Sequence, residues 1–273
     1  MTVKLLALDL DGTIFGDDLI ISERVRKAIL RAQQAGVVVT IATGRMFRAA
    51  RVIAADLGLH EPLICYQGAL IQHSVTAEVL YHRTVPLTLC HELIDATNRQ
   101  QLHLNVYLGD ELFVSHETPE ARYYSQINMD LPVQIVGDLH AWLDRQQSSE
   151  PTKLVIVTDP SETDTTLAHF SELYGSRLQV IKSHPRFTEF TNSACSKGRA
   201  LAFLAAHYNI ARADVMAIGD GHNDLDMIQW AGYGVAMSTA PQMVLDAADI
   251  VSPPISEDGA AYAIERYVLN DQV

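Results

Sequence analysis

The chain has 273 residues, of which 48% are hydrophobic and 19% charged. That composition supplies material for a real core and excludes disordered and fibrous classes, and the length allows one large domain or two modest ones. With 33 Asp and Glu against 20 Lys and Arg, the formal charge is −13; such a surface repels nucleic acid and anionic lipid, so no nucleic-acid partner is expected.

In chain order, Val3–Leu8 is a nearly continuous apolar run, the pattern of a strand buried on both faces of a parallel sheet. Ser22 can cap a helix whose apolar positions Val25, Ile29 and Ala32 fall at helical spacing, with Gly36 at its end. Val37–Ala42 predicts a second buried strand, Met46–Leu57 a helix stopped by Gly58, and Pro62–Tyr66 a third strand. This β-α-β-α-β alternation predicts an open, doubly wound, mostly parallel sheet of the Rossmann-like α/β class.

The middle third reads differently. Leu102–His116 alternates about Gly109-Asp110, a two-residue hairpin turn; Lys153–Thr158 and Leu178–Lys182 are further strands, with helices over Leu87–Gln100 and Glu162–Tyr174. Hairpin pairing predicts a separate α+β unit, placed at 85–186, inserted into a core made of 1–84 and 187–273. The last third resumes the alternation. A helix from Ser196 is followed by strand Val215–Ile218, a helix over Asn223–Ala231, strand Gly234–Met237, a helix after Pro241, strand Ile250–Val251 and a terminal helix from Glu257.

Asp9-Leu10-Asp11-Gly12-Thr13 closes the first strand, where open α/β sheets bind ligands. Asp-Gly also suits a plain turn, but two neighbouring carboxylates repel unless a cation or proton mediates. Asp220, Asn223 and Asp224 form a second acidic cluster after another buried strand. Together the two clusters offer oxygen ligands suited to Mg²⁺, and the absence of His from the ligand positions disfavours zinc. Thr43-Gly44-Arg45 opens a helix, either as an anion cradle or with Thr43 as a simple N-cap. Lys197 sits in a first helical turn, where the helix dipole disfavours a cation unless an anion is held there too. No serine-hydrolase elbow and no P-loop occurs. Cys65, Cys90 and Cys195 are far apart and form no CxxC, so neither a disulfide framework nor a thiolate metal site is expected. The opening apolar stretch is broken by Asp9 too early for a signal peptide, and no uncharged apolar run approaches the roughly 18–20 residues of a membrane span. A cytoplasmic location with no membrane partner is expected.

DLDGT, TGR, SKG and GDGHND, in that order with a large insert between the second and third, resemble the motifs of the haloacid dehalogenase-like phosphohydrolases. The insert position, the NDxxM form at Asn223–Met227 and Glu257-Asp258-Gly259 resemble the Cof-type subfamily in particular. The resemblance implies Asp9 as the nucleophile of an aspartyl-phosphate mechanism and Asp11 as its general acid/base. It implies Mg²⁺ held by Asp9, the Asp11 carbonyl and Asp220, with Asp224 in support. Leu10, Thr43, Gly44, Lys197 and Asn223 would clasp the phosphoryl oxygens. The inserted unit would be a cap that closes over the site and selects the substrate, with Arg45, Tyr107, Tyr123, Tyr124 and Arg186 as candidate contacts.

The chain departs from the subfamily pattern at Gln67, where Asn is usual, at Ser238-Thr239 in place of Gly-Asn, and at Glu189-Phe190 in place of Glu-Ile. The resemblance implies a Mg²⁺-dependent phosphatase acting on a small phosphorylated metabolite, such as a sugar phosphate or a nucleotide-like cofactor, by a monomer or weak homodimer. Two alternatives stay open: a phosphotransferase or mutase with the same first step, and a non-catalytic phosphometabolite sensor.

Overall fold

The strand β1 (Leu5–Leu8) is buried along its whole length, as an uninterrupted Leu/Ala run at the centre of a parallel sheet must be. In this computed structural model, which describes residues 2–16, 18–128, 131–146 and 149–271, the chain divides into two compact units, 1–81 with 196–273, and 82–195.

The first unit begins with β1 and then α1 (Glu23–Gln34), which is capped by Ser22 through its Oγ, 3.2 Å from the Val25 N–H. That helix buries Val25, Ala28, Ile29 and Ala32, the stripe expected from their spacing. Next come β2 (Val38–Ile41), α2 (Phe47–Asp56), β3 (Pro62–Cys65), β4 (Leu70–His73) and β5 (Val79–His82). The strand β3 pairs antiparallel with β4 in a small sheet of β3, β4 and β5. It meets the end of β2 through a parallel bridge, Ala42 to Ile64, with the Thr43 N–H 2.9 Å from the Ile64 carbonyl. The small sheet therefore hangs on the edge of the main one.

The second unit contains α3 (Leu87–Gln100), β6 (His103–Leu108), β7 (Glu111–Val114), α4 (Pro119–Ile127), β8 (Val133–Ile135), α5 (Leu139–Asp144), β9 (Lys153–Val157), α6 (Pro160–Tyr174), β10 (Leu178–His184) and β11 (Phe187–Asn192). Its six strands form one mixed sheet in the order β10-β11-β9-β6-β7-β8. The hairpin turn between β6 and β7 is Gly109-Asp110, both at positive φ (58° and 62°), as a tight primed turn requires. One face of the sheet sends Leu104, Val106, Leu154, Ile156 and Phe190 against apolar residues of α3, α5 and α6. The opposite face is polar at its centre, where Lys153 and Glu189 pair at 3.2 Å although both are buried. The unit runs to Cys195, past the expected boundary at 186, because β11 pairs with both β9 and β10. Its two ends meet: Asn192 Nδ2 donates to the Thr84 carbonyl at 2.8 Å.

Helices α3 and α5 are cross-braced. Each carries His-x-x-x-Asp, and His140 Nε2 lies 2.9 Å from Asp95 while His91 Nε2 lies 3.3 Å from Asp144. Between them the two Nδ1 atoms are 2.7 Å apart, with the rings within 4° of parallel.

The chain then returns to the first unit with α7 (Lys197–His207), β12 (Val215–Gly219), α8 (Leu225–Trp230), β13 (Tyr233–Met237), α9 (Gln242–Ala247), β14 (Ile250–Ser252) and α10 (Gly259–Ala263), which continues into a π-helical turn at Ile264–Val268. The main sheet is wholly parallel, in the order β14-β13-β12-β1-β2. The chain builds outward from β1 to β2, then returns to the other side of β1 with β12. That reversal is the topological switch point at which open α/β sheets place their ligands. Register sets the alignment: Leu8 pairs with both Ile218 and Ile41, so the residues that follow these strands emerge side by side. Among the described residues no helix is long and apolar enough to cross a membrane.

Candidate active site

Asp9 follows β1 and is buried; its N–H donates to the Ile218 carbonyl at 3.0 Å, which seats it beside the end of β12. The next turn brings Thr13 Oγ1 to 2.9 Å from Asp220 Oδ1. Gly12, at φ +87°, lies directly against the Asp220 carboxylate, and a methyl group there would overlap it. Asp224 is fully buried, and its Oδ2 accepts the N–H groups of Asp220 (3.0 Å) and Gly221 (2.9 Å). One oxygen from each of Asp9, Asp220 and Asp224 lies within 4.8 Å of the others.

Lys197 is the cation of this cluster. Its Nζ donates to Asp9 Oδ1 and Asp224 Oδ1, both at 2.6 Å, and its side chain is fully buried. Ser196 caps α7 by accepting the Arg199 N–H, and the Gly198 N–H binds Asp226 Oδ2 at 2.9 Å, which ties the start of α7 to α8. Lys197 is thereby aimed inward from the first turn of its helix. Burial by itself would lower its pKa, but the two carboxylates, Asp224 then Asp9, overcome that and hold it charged.

One lysine does not balance three carboxylates. Burial first, and the Asp224 charge second, raise Asp9 well above the ordinary carboxylate range. The same two causes push Asp220 up to about 6. Buried oxygens that resist holding their charge together form a donor set that a hard divalent cation fits. Asp9 and Asp220 have oxygens suited to ligating it, whereas Asp224 already spends both of its oxygens on protein donors.

On the other side of β1, Thr43 is fully buried and its Oγ1 accepts the Arg45 N–H at 3.1 Å. Asn223 reaches across from the loop after β12, donating from Nδ2 to Gln67 Oε1 at 3.2 Å. Asp11 points away from the acidic cluster. Arg45 grips its carboxylate with two bonds, Nη2 to Oδ1 at 2.6 Å and Nε to Oδ2 at 2.9 Å, and the guanidinium lies 5.4 Å from the Phe15 ring.

The structure thus brings together Asp9, Leu10, Asp11, Thr43, Gly44, Arg45, Lys197, Asp220, Asn223 and Asp224 at the C-terminal edge of one parallel sheet. Tyr107, Tyr123, Tyr124 and Arg186 fall in the second unit. There the Tyr107 hydroxyl donates to that of Tyr124 at 2.8 Å, and the Arg186 guanidinium stacks 4.3 Å from the Tyr123 ring. Of the departures, only Gln67 lies among these site residues. The Ser238 N–H binds the Ser252 carbonyl at 2.8 Å, and Glu189 is the partner of Lys153.

Residues 6–264 match the family described as haloacid dehalogenase-like hydrolase. The chain belongs to the haloacid dehalogenase-like hydrolases. Its relatives include phosphatases, and it is a phosphoric monoester hydrolase. It is 30% identical to the 5-amino-6-(5-phospho-D-ribitylamino)uracil phosphatase YcsE of Bacillus subtilis, over 98% of this chain and 96% of that one. It is 29% identical to YitU of the same organism, a phosphatase of the same description, over 96% and 97% of the two chains. A haloacid dehalogenase-like hydrolase from Bacteroides thetaiotaomicron has the same fold with a TM-score of 0.85 and 29% identity, over 97% of this chain and 99% of the other. The parallel core sheet with an inserted mixed-sheet unit is the architecture of the family.

Proposed function

We propose that this hydrolase removes phosphate from a small phosphorylated metabolite, with Mg²⁺ as cofactor, through an aspartyl-phosphate formed on Asp9. The observation that carries this reading is Lys197, a buried cation bonded to one oxygen of Asp9 and leaving the other oxygen for attack. A buried carboxylate is a useful nucleophile toward a phosphate ester only if fixed positive charge lies beside it.

In the first step Asp9 Oδ2 attacks phosphorus, the ester P–O bond breaks, and Asp11 gives its proton to the departing oxygen. In the second, the Asp11 carboxylate takes a proton from water, whose oxygen attacks the same phosphorus. The bond to Asp9 breaks and inorganic phosphate leaves. Lys197, the hydroxyl of Thr43, the N–H groups of Leu10 and Gly44, and the Asn223 amide hold the phosphoryl oxygens. In this structure Arg45 holds both oxygens of the Asp11 carboxylate, a grip that must open before Asp11 can carry a proton to the leaving oxygen. Asp9, the Asp11 carbonyl and Asp220 would hold Mg²⁺, which would supply the charge that lets a carboxylate approach a phosphate dianion.

For the substrate, YcsE and YitU are phosphatases of a phosphorylated ribityl chain on a heterocycle. A sugar phosphate or a nucleotide-like phosphate of similar size is the class proposed here. The test is Mg²⁺-dependent release of inorganic phosphate across a panel of phosphorylated metabolites, with Asp9→Asn as control. Release by the parent protein alone is expected, together with an acid-stable, base-labile phosphoenzyme in a rapid quench. Asp11→Asn should bind Mg²⁺ normally yet slow both steps. Full turnover by Asp9→Asn would overturn the mechanism; slow phosphate release that an added acceptor alcohol accelerates would point to a transferase.

A further inference from the structure

The short turn Tyr66–Gly68, just after β3, belongs to none of the four motifs yet touches three of them. Its backbone runs through three successive left-handed residues, Tyr66 at φ 52°, Gln67 at 58° and Gly68 at 89°. Left-handed backbone is costly for side chains such as Tyr and Gln, and it persists only where the surroundings fix it. Here they do. The Tyr66 N–H donates to the Arg45 carbonyl at 3.0 Å and the Gln67 N–H to the Thr43 carbonyl at 3.1 Å. Gly68 is pressed against the carbonyl of Ser196, the residue before Lys197; a Cβ there would collide with it.

The Gln67 side chain completes the junction. It is buried, with Oε1 accepting from Asn223 Nδ2 and Nε2 lying so close over Gly44 that a methyl group at that glycine would overlap it. The acceptor fixes which way the Asn223 amide faces, because an amide that donates from Nδ2 to Gln67 must turn its Oδ1 elsewhere. Asn223 Oδ1 indeed lies against Gly221. One side chain therefore spans the loop after β2 and the loop after β12, while its backbone neighbours hold those loops and the start of α7.

We propose that Gln67 is a positioning residue for the phosphoryl group: it orients the Asn223 amide and the Gly44 peptide so that both donate into one oxyanion position. This deepens the function proposed above and rests on it. A left-handed residue with a two-carbon reach is what the geometry uses. A shorter amide in the same backbone would leave one of the two loops without its contact.

The test is a double-mutant cycle of Gln67→Ala and Asn223→Ala, reading KM, kcat and the inhibition constant of inorganic phosphate, with Mg²⁺ affinity as control. Gln67→Ala should weaken phosphate binding about three- to tenfold, the worth of one misplaced hydrogen bond. Mg²⁺ affinity should stay within about twofold, because Gln67 touches no metal-side carboxylate. The double variant should be worse than Asn223→Ala alone by less than Gln67→Ala costs by itself, since part of the Gln67 effect runs through Asn223 and the rest through Gly44. Gln67→Glu keeps the length and an acceptor for Asn223 but sets a negative charge over Gly44. If the role is positioning, Glu binds phosphate more weakly than Ala; if the role is only packing, Glu is the milder change. Gln67→Met keeps the volume and serves if Ala does not fold. Multiplicative effects in the cycle, or an unchanged phosphate constant in every variant, would overturn the proposal. If the parent protein neither releases nor binds phosphate, the proposal falls together with the reaction itself; if it does both while the cycle shows independence, only Gln67 loses its role.

Discussion

Lys197 Nζ stands 2.6 Å from Asp9 Oδ1 although the two residues are 188 positions apart in the chain. The contact joins the end of β1 to the start of α7 across the inserted unit. Removing the cation with Lys197→Met leaves Asp9 and Asp224 buried together without a counter-charge. Breaking a buried ion pair from one side costs about 3–5 kcal/mol, and losing one fixed charge at a transition state costs about 10²–10³ in rate. Urea unfolding should show the loss of stability, and added Mg²⁺ should restore part of it while turnover stays low.

Gly12→Ala should separate the metal from the fold. The position is left-handed and a methyl group would displace the Asp220 carboxylate. Backbone strain at such a site costs about 1 kcal/mol or more, and a displaced ligand weakens metal binding about 10–100-fold. Calorimetric Mg²⁺ titration of the folded variant checks this; unchanged affinity would mean that Asp220 is not a ligand.

The acidic cluster predicts a pH dependence. Asp220 is pushed up to about 6 from 3.8, and Asp9 is raised too, in both cases by burial before all else. A carboxyl whose folded pKa lies above its unfolded value binds its proton more tightly in the folded state. The stability of the metal-free protein therefore falls as pH rises from 3.8 through about 6. Mg²⁺ must displace that proton, so its affinity rises over the same window with proton release. Titrations at pH 5 in buffers of different ionisation enthalpy should give different heats; identical heats would exclude the linkage.

The cross-brace of His91 and His140 should be local in its effect. Both rings are partly exposed, so the groups orphaned by His140→Ala are solvated and the cost is about 0.5–1.5 kcal/mol. Faster hydrogen exchange over Leu139–Asp144 with unchanged phosphatase activity is the expected outcome.

The central sheet and its site were legible because each strand is an apolar run with its chemistry at one end. Asp9 ends β1, Asp220 follows β12, and Thr43 and Lys197 open helices or the turns that lead to them. The alternation about Gly109-Asp110 gave the β6–β7 hairpin for the same reason. What escaped lacks such a signal. The strand β8 has only three residues and is largely exposed, and β5 is mostly exposed as well, so no alternation marks a buried face. The strand β11 buries Thr188, Glu189 and Thr191 beside its two Phe residues; a charge inside a strand reads as a loop until Lys153 is known to face it. Gln67 stood out as a departure, but its contacts depend on a left-handed backbone and on two loops distant in sequence. The grip of Arg45 on Asp11 was equally invisible, since spacing carries no information about which carboxylate an arginine will meet.

The bond from Asn192 to the Thr84 carbonyl has a consequence for how such a protein can change. A segment whose first and last residues are neighbours asks of its host only what a short loop would ask, whatever its own size. Strands and helices can be added, lost or replaced between those two residues without stretching β5 or α7. One half of the molecule is thus free to be rebuilt, while the other keeps its parallel sheet and its acidic cluster unchanged.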